Sequence, residues 1–261
     1  MAPLYPNPMK PRFNPLLALG CLSLITVSGT HAADKFKANN TTALNLDGSW
    51  TTSAPLATDV AVWDNTVTAA NSSSLDAAAT WQGIRIANPG GAITISGTNL
   101  LTLTPDVGVP GIDMTSAGTS NLTISGQVAL GSEQTWNVVG ATRVLSLSGT
   151  NSVLSGGFLL RKMGTGQLTL AGQNTNSGGL ELAEGILTLN SPGALGAATG
   201  DLTIKAGTTL ATSALNGTFI NVNKPVKLDG NFTYLVQGTS NGLLHLGAGP
   251  VTLNDNITVT N

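Results

Sequence analysis

The most regular feature of the chain is a three-residue pattern in which one Thr or Ser separates two aliphatic residues. Successive side chains of a β-strand point to opposite faces, so both aliphatic residues of a triplet face one side and the hydroxyl faces the other. The triplets are Ile93–Ile95, Leu101–Leu103, Leu122–Ile124, Leu145–Leu147, Leu168–Leu170, Leu187–Leu189, Leu202–Ile204, Val251–Leu253 and Ile257–Val259. Gly, Asn and Ser separate them, and these residues favour turns. The pattern predicts many short strands that bury one face.

The spacing of the triplets predicts how the strands are arranged. From Leu101 they begin at steps of 21, 23, 23, 19 and 15 residues, and Val226 continues the series to Val251 at steps of 24 and 25. Such steps suit a parallel β-helix, in which each coil takes roughly 20–25 residues and equivalent strands stack on one another. An antiparallel sandwich or barrel is the alternative, with strands every 8–12 residues joined by hairpins. Of the Asp-Gly pairs, only Asp229-Gly230 lies between strand-like runs, and we expect a hairpin there.

Composition supports the all-β class and limits the partners. Charged residues make up 9% of the chain, against roughly 25% in ordinary globular proteins. Hydrophobic residues make up 41%, and this is enough to build a core and argues against disorder. The formal charge of −2 provides no basic footprint, so we expect no nucleic-acid partner.

The first 33 residues have the pattern of a secretory signal peptide. Lys10 and Arg12 precede an apolar run at Leu16–Val27, and Ala32 and Ala33 supply the small residues of a cleavage site. The run is shorter than the ~20 apolar residues that span a bilayer. A lipoprotein signal ending at the only cysteine is an alternative, but the apolar run continues past that residue. Cleavage would leave nine basic and thirteen acidic residues, a formal charge of −4, and no cysteine.

The mature chain divides into two predicted parts. In residues 34–91 the triplets weaken, and three of the four tryptophans occur there, Trp50, Trp63 and Trp81. An open end of a solenoid exposes unpaired backbone and apolar side chains, so we expect this part to form irregular capping coils. An aromatic sugar-binding platform is the alternative. Residues 92–261 are predicted to be the regular β-helix repeats.

One segment of about 40 residues, 157–196, resembles a known family. Leu160–Gly179 reads LRKMGTGQLTLAGQNTNSGG, and Gly185-Ile186-Leu187 follows. The order of Lys, Gly, Leu and Asn resembles the autotransporter-associated β-strand repeat, also called the passenger-associated transport repeat. Asn176 stands where that repeat usually has an aromatic residue, and Leu180 where it usually has Thr.

The resemblance implies a right-handed parallel β-helix and a function. It implies a non-catalytic, exported passenger or stalk region of a bacterial surface or secreted protein that serves display, adhesion or export. It implies no catalytic residues. The residues themselves predict no cofactor-binding or metal-binding site: Gly164-Thr165-Gly166 is only a weak match to a nucleotide-binding loop, and the sequence has no cluster of His or Cys. The expected location is extracellular or on the outer-membrane surface, and the expected partners are host, matrix or polysaccharide surfaces. We expect the chain to be truncated at its C-terminus, with an outer-membrane translocator encoded beyond it.

A carbohydrate-active β-helix enzyme, a lyase or glycosidase, is the alternative function. Such a site needs carboxylates, or an acid–base pair with Arg or Lys, together on one outward face. The nearest candidates are Asp201 with Lys205, Glu181 with Glu184, and Arg161 with Lys162. We expect all of them to be solvated edge charges, with Arg161 and Glu181 paired one coil apart.

A second motif suggests a nucleophile. Gly238–Gly242 matches the pattern G-x-S-x-G around Ser240, with His245 nearby. That mechanism needs a strand–turn–helix elbow, but no helix signal follows and alternation places His245 on an outward strand position. With 32 glycines in the chain, chance matches are expected.

Overall fold

The computed structural model describes residues 33–213, 219–237 and 243–261, all within the unit His31–Asn261. The predicted signal peptide, apart from Ala33, lies outside the described residues, as does the G-x-S-x-G motif at 238–242. No helix in the described part of the chain is both long and apolar enough to span a membrane.

The described residues form short β-strands and one turn of 3₁₀ helix, Asp47–Ser49. The strands are β1 (Asp34–Phe36), β2 (Val60–Asp64), β3 (Asn71–Ser74), β4 (Ala79–Trp81), β5 (Gly83–Ala87), β6 (Ile93–Ser96), β7 (Leu100–Leu103), β8 (Ile112–Met114), β9 (Leu122–Ile124), β10 (Gln127–Leu130), β11 (Gln134–Val138), β12 (Val144–Leu147), β13 (Val153–Ser155), β14 (Leu160–Met163), β15 (Gln167–Leu170), β16 (Leu180–Leu182), β17 (Ile186–Leu189), β18 (Leu202–Lys205), β19 (Thr209–Thr212), β20 (Phe219–Asn221), β21 (Val226–Asp229), β22 (Phe232–Val236), β23 (Leu243–His245), β24 (Val251–Leu253) and β25 (Val259–Thr260).

These strands stack into parallel sheets. Sheet 1 has ten strands, in the order β1-β2-β5-β8-β11-β14-β16-β18-β21-β24. Sheet 2 has nine strands, in the order β3-β6-β9-β12-β15-β17-β19-β22-β25. Sheet 3 has four strands, β4-β7-β10-β13, and β20 pairs with β23.

Each coil passes through sheet 1 and then sheet 2, and the early coils continue through sheet 3. Register partners in sheet 1 are separated by as few as 20 residues, as between Leu160 and Leu180, and by as many as 28, as between Ile84 and Ile112. The prediction of an all-β parallel solenoid is confirmed, with about nine turns in the described residues and almost no helix.

The triplets build the core as predicted. Leu168 pairs with Leu187, and Leu170 with Leu189; all four side chains are completely buried. Between the two leucines of β15, Thr169 is half-buried; it pairs with Thr188, which is buried. Burial of aliphatic columns therefore supplies the main stabilisation between coils.

The order of the coils corrects two of the predicted steps. Leu122 stacks on Ile93 in sheet 2, whereas Leu101 belongs to sheet 3. Likewise Leu202 belongs to sheet 1 and Leu187 to sheet 2. Strands of all three sheets bury aliphatic residues at every second position. The spacing of the triplets therefore could not show which sheet each triplet belongs to.

The hairpin predicted at Asp229-Gly230 is wrong. β21 ends at Asp229 in sheet 1, and β22 begins at Phe232 in sheet 2, so the turn carries the chain from one sheet to the next. Gly230 has φ 147°, and an added Cβ would lie 2.5 Å from the Cβ of Ala206. The Asp-Gly pair therefore makes a tight corner of the solenoid.

The tryptophans of the first coils belong to the core. Trp50 packs edge-on against Trp63 and Trp81, with ring centroids 5.6 and 5.9 Å apart. All three rings are buried, so the alternative of a sugar-binding aromatic platform is wrong. An antiparallel bridge between Lys37 and Trp50 interrupts the parallel pattern here. The division of the mature chain at residue 92 remains a prediction.

Candidate functional site on the outer face of sheet 1

Charged residues of the strands are concentrated in sheet 1. Its strands contain Asp34, Lys35, Asp64, Arg85, Asp113, Arg161, Lys162, Glu181, Lys205, Lys227 and Asp229. The described strands of the other sheets contain no Asp, Glu, Lys or Arg. Among the described strands, the Asp, Glu, Lys and Arg side chains are therefore confined to sheet 1, and His245 lies outside it on β23.

Ion pairs between coils occupy much of this face. The Nε of Arg161 donates to Oε1 of Glu181 at 3.1 Å, which confirms the predicted pairing of these two residues one coil apart. The candidate pair of Asp201 and Lys205 is separated: Lys205 bonds Asp229 at 2.6 Å, and Asp201 lies 2.5 Å from the ammonium of Lys227. Four of the six candidate residues, Arg161, Glu181, Asp201 and Lys205, are thus paired with a residue of a neighbouring coil.

These pairs keep their groups ionised. The hydrogen bond to Asp229 raises the pKa of Lys205, and the hydrogen bond to Asp201 raises the pKa of Lys227. Hydrogen bonds from Lys205 and Asn254 lower the pKa of Asp229. A general acid or base needs a pKa near the working pH, so these shifts move the groups away from catalysis.

The prediction that Lys162 is a solvated edge charge is wrong. Its side chain is completely buried, and its ammonium donates to the carbonyl oxygens of Met163, Gly164 and Glu184 at 2.9, 2.7 and 3.2 Å. The first two carbonyls belong to its own coil and the third to the next, so Lys162 ties two coils together. Burial lowers the pKa of Lys162 to about 8, against a smaller opposing effect of Glu184.

Two other lysines are buried in a similar way. The Lys37 ammonium donates to the carbonyl oxygen and the side-chain oxygen of Asn40 at 2.6 and 2.9 Å. Lys224 donates to the carbonyl oxygen of Leu195 at 2.6 Å. Burial lowers the pKa of Lys37 to about 8 and also lowers that of Lys224. Each of the three buried lysines therefore donates to backbone carbonyl oxygens.

Other residues of the repeat-like segment also support stacking. Gly164 has φ +80°, and a Cβ there would lie 2.3 Å from the Val138 carbonyl oxygen, so this corner favours glycine. The Gly164 N–H donates to Oε2 of Glu184 at 2.8 Å, whereas its candidate partner Glu181 is paired with Arg161. The Gly164-Thr165-Gly166 sequence is thus a turn between coils.

Asn174 connects three successive coils where the chain no longer forms a strand of sheet 3. Its side chain accepts from the Leu154 N–H at 2.8 Å and donates to the Ala194 carbonyl oxygen at 2.6 Å. The side chain of Asn176 is also buried, and its amide has no hydrogen-bond partner. The side-chain amide of Asn174 therefore links the coils at a position where no strand pairing does so.

A cleft of about 500 Å³ lies on the outer face of sheet 1. The segment 106–110 forms one wall, and Thr135, Asn137, Arg161 and Met163 line the sheet. Asp106 accepts from Nε2 of Gln82 at 2.6 Å, and Glu133 is exposed at the rim. Sequence reasoning missed this cleft; the available signal was a coil with an insertion bounded by Pro105 and Pro110.

The lining of the cleft contains two carboxylates, Asp106 and Glu133, and one cation, Arg161, but no His, Ser or Cys. Asp106 accepts a hydrogen bond from Gln82, and Arg161 is paired with Glu181. Within the described residues, no group of three or more His, Cys, Asp or Glu could hold a metal ion. His245 is exposed at the end of β23, and Ser240 lies outside the described residues.

Comparison with known proteins gives one informative similarity. The chain is 28% identical over 258 residues to the adhesin BmaC autotransporter of Brucella suis biovar 1 (strain 1330). The match covers 95% of this chain and 7% of that protein. The chain resembles part of an autotransporter adhesin along almost its whole length. No family model matches the chain, and no solved structure matches it significantly.

Proposed function

We propose that this chain is a non-catalytic passenger or stalk region of an exported bacterial surface protein of the autotransporter type. The observation that carries the proposal is the similarity to an autotransporter adhesin over 95% of the chain, combined with a parallel solenoid. The match covers only 7% of that adhesin, so the proposal concerns the function of one segment of such a protein. In this proposal the segment holds a long polar surface away from the cell for display or adhesion.

The contacts of the repeat-like segment support this scaffold function. Lys162, Gly164 and Asn174, which also match the passenger-associated repeat, bond or pack between coils. A stacked solenoid distributes its outward contacts over a whole face, and this suits adhesion better than chemistry at one point. Arg161, Asp201 and Lys205, which are candidate residues for the alternative of a carbohydrate-active enzyme, are held in ion pairs between coils.

Export is tested in the bacterium that carries the gene. We expect N-terminal sequencing of the mature protein to begin at Ala33 or Asp34, and protease added to intact cells to degrade it. A cytoplasmic, protease-protected protein that retains Met1 would contradict the proposal.

Catalysis is tested on the purified chain with polysaccharide and ester substrates. We expect no turnover, because Arg161, Lys205 and Asp201 are held in ion pairs between coils and are not free to act as acids or bases. Turnover that Asp201→Asn, Ser240→Ala or His245→Ala abolishes would favour the carbohydrate-active or esterase alternative.

A further inference from the structure

One edge of sheet 3 is not covered by another strand. Among the described residues, β4 is the terminal strand in the order β4-β7-β10-β13. On its paired edge, the Trp81 carbonyl oxygen accepts from the Thr104 N–H at 2.9 Å. The N–H and C=O groups of successive strand residues point to opposite edges, so those of Thr80 point away from β7. The Gln82 N–H also points that way, since it donates to the Asp59 carbonyl oxygen of the preceding coil at 2.9 Å.

The preceding coil runs past this edge without pairing with Thr80. In residues 54–56, the first and third N–H groups donate to the carboxylates of Asp47 and Asp59, each at 2.9 Å. The middle residue is Pro55, which has no N–H. Within the described part of the chain, no hydrogen bond reaches the main-chain groups of Thr80 on this edge.

Comparable edges elsewhere in the solenoid are closed. At the other end of sheet 3, the Leu154 N–H of β13 donates to Oδ1 of Asn174 at 2.8 Å, and its carbonyl oxygen accepts from the Thr175 N–H at 2.8 Å. At the start of sheet 2, the Ser74 carbonyl oxygen of β3 accepts from the Leu44 N–H at 2.8 Å. Exposed strand edges pair readily with further strands, and proteins normally cover them. The edge of β4 therefore remains available to an added strand.

A groove of about 360 Å³ lies between β4 and residues 54–57. Its lining contains no charged residue and is mostly apolar. Alanines line both walls, and the buried side chains of Leu44 and Trp81 also border the groove. Leu56, on the wall opposite β4, is 69% exposed. An apolar side chain of an occupant can therefore bury surface here.

Two exposed carboxylates stand beside this groove. Oδ1 of Asp47 accepts from the first N–H of the wall 54–57, and the Asp76 N–H donates to Oδ1 of Asn45, which lines the groove. In the described part of the chain, neither carboxylate is paired with a Lys or Arg. The ammonium of Lys35 is 4.0 Å from a third carboxylate and balances that one. An occupant therefore meets an apolar lining and an acidic rim.

Hydrogen bonding and charge together identify the occupant. The free edge presents peptide groups, and another extended strand matches their type and spacing. Nucleic acids and anionic membranes require cations, which this rim lacks. A neutral glycan would leave the two carboxylates without a counter-charge.

We propose that the groove beside β4 binds an extended segment of a partner protein, which adds a strand to sheet 3. An apolar residue of this segment contacts the groove lining, and a Lys or Arg next to it pairs with Asp47 or Asp76. This inference rests on the proposed adhesive function and names the surface and the class of partner. Because β4 is short, one groove binds weakly, and several copies on a cell surface supply avidity.

The test is methyl NMR of the purified chain with the blocked peptide Lys-Val-Ala-Val-Lys as the probe. We expect it to shift the methyl signals of Leu56, Ala78 and Ala79 with a Kd of about 1 mM. The same peptide N-methylated at its central residue keeps the charge but loses a main-chain donor, so we expect about tenfold weaker binding. We also expect Glu-Val-Ala-Val-Glu to bind more weakly, because the rim repels it.

Variants of the chain test the two parts of the proposal separately. Thr80→Pro removes the N–H that faces the groove, and proline is tolerated on such an edge. We expect it to weaken binding about tenfold, whereas Thr80→Val should bind like the wild type. Asp47→Asn with Asp76→Asn should abolish the preference for the Lys peptide. The matched control, Glu133→Gln with Asp255→Asn, changes the net charge equally at exposed sites outside the groove and should keep that preference.

Four results would overturn the inference. These are no methyl shift with the Lys peptide, equal binding of the N-methylated peptide, equal effects of the two amide double variants, and stronger shifts of the same signals with cellotetraose. A dimer that Thr80→Pro disrupts would also overturn it, since a second copy would then occupy the groove. If Thr80→Pro failed to fold, the N-methylated peptide would still decide the role of main-chain pairing. All these outcomes are independent of N-terminal processing and surface exposure, which test the proposed function separately.

Discussion

Replacing Lys162 by Met removes a buried ammonium and preserves an unbranched side chain of similar length. The variant leaves the carbonyl oxygens of Met163, Gly164 and Glu184 without this donor. Hydrogen bonds from a charged group contribute roughly 1.5–3 kcal/mol net, and an unpaired buried carbonyl costs about 1–3 kcal/mol. Burying the ammonium also costs desolvation energy in the wild type, and this offsets part of what its hydrogen bonds contribute. We therefore expect Lys162→Met to be about 2–3 kcal/mol less stable than the wild type at neutral pH.

The effect of pH on this variant has a definite sign. The pKa of Lys162 is lowered to about 8 in the folded protein and has its ordinary value of 10.5 in the unfolded chain. Between these values the unfolded chain binds a proton that the folded protein does not, so wild-type stability rises with pH relative to the variant. Because the pKa of Lys162 falls from 10.5 to about 8 on folding, the wild type gains about 3 kcal/mol of stability relative to the variant once the pH exceeds both values.

Urea unfolding followed by circular dichroism at neutral pH and near pH 10 measures both effects. The control is Lys227→Met, which removes an exposed ion pair of the same sheet and should lower the stability far less than Lys162→Met does. A Lys162→Met protein as stable as this control would refute the role of Lys162 in tying coils together. If the stability difference between the wild type and Lys162→Met were smaller near pH 10 than at neutral pH, the lowered pKa of Lys162 would be wrong.

Three further substitutions test the packing of the coils. Leu170→Asp places a charge in the dry core and should lower the stability by several kcal/mol. The neighbouring Thr169 is only half-buried, so Thr169→Asp should lower the stability much less. Equal melting temperatures of the two variants would show that Leu170 does not point into the core. Asn174→Ala leaves two buried backbone groups unpaired and should cost about 2–4 kcal/mol in urea unfolding, against less than about 0.5 kcal/mol for exposed Asn190→Ala. Gly164→Ala combines a positive φ with a clash against the preceding coil, so we expect a melting temperature lowered by several degrees; an unchanged value would mean that the corner is not tight.

Residue alternation made the fold predictable from the sequence. Leu168 and Leu170 flank a Thr, and strand geometry allows only one face for both leucines. The repeated steps then favoured stacking over hairpins, and stacking placed Arg161 opposite Glu181. The columns themselves were not predictable, because sheets 1, 2 and 3 bury the same residue types at the same alternation. Leu101 and Leu122 were therefore placed in one column although they lie in different sheets.

The contacts of the polar residues were harder to predict. Lysine is almost never fully buried unless it is paired, so Lys162 was expected at the surface. Its burial depends on backbone carbonyl oxygens of two coils that meet at one corner. The residues near Lys162 in the sequence do not predict that these carbonyls meet. The absence of Asp, Glu, Lys and Arg from the strands of sheet 2 likewise depends on which strands stack together, and only the register of the strands shows that.

Cysteine cross-linking tests the central claim of a parallel stack with this register most directly. The predicted mature chain has no cysteine, so Thr123→Cys with Ser146→Cys introduces a single pair. These residues are register partners on adjacent strands about 4.8 Å apart, within the Cα range of a disulfide. We predict nearly complete oxidation of this pair and none of Thr123→Cys with Thr169→Cys, which are two strand spacings apart. Efficient oxidation of Thr102→Cys with Thr123→Cys, or failure of the first pair, would contradict the stacked solenoid described here.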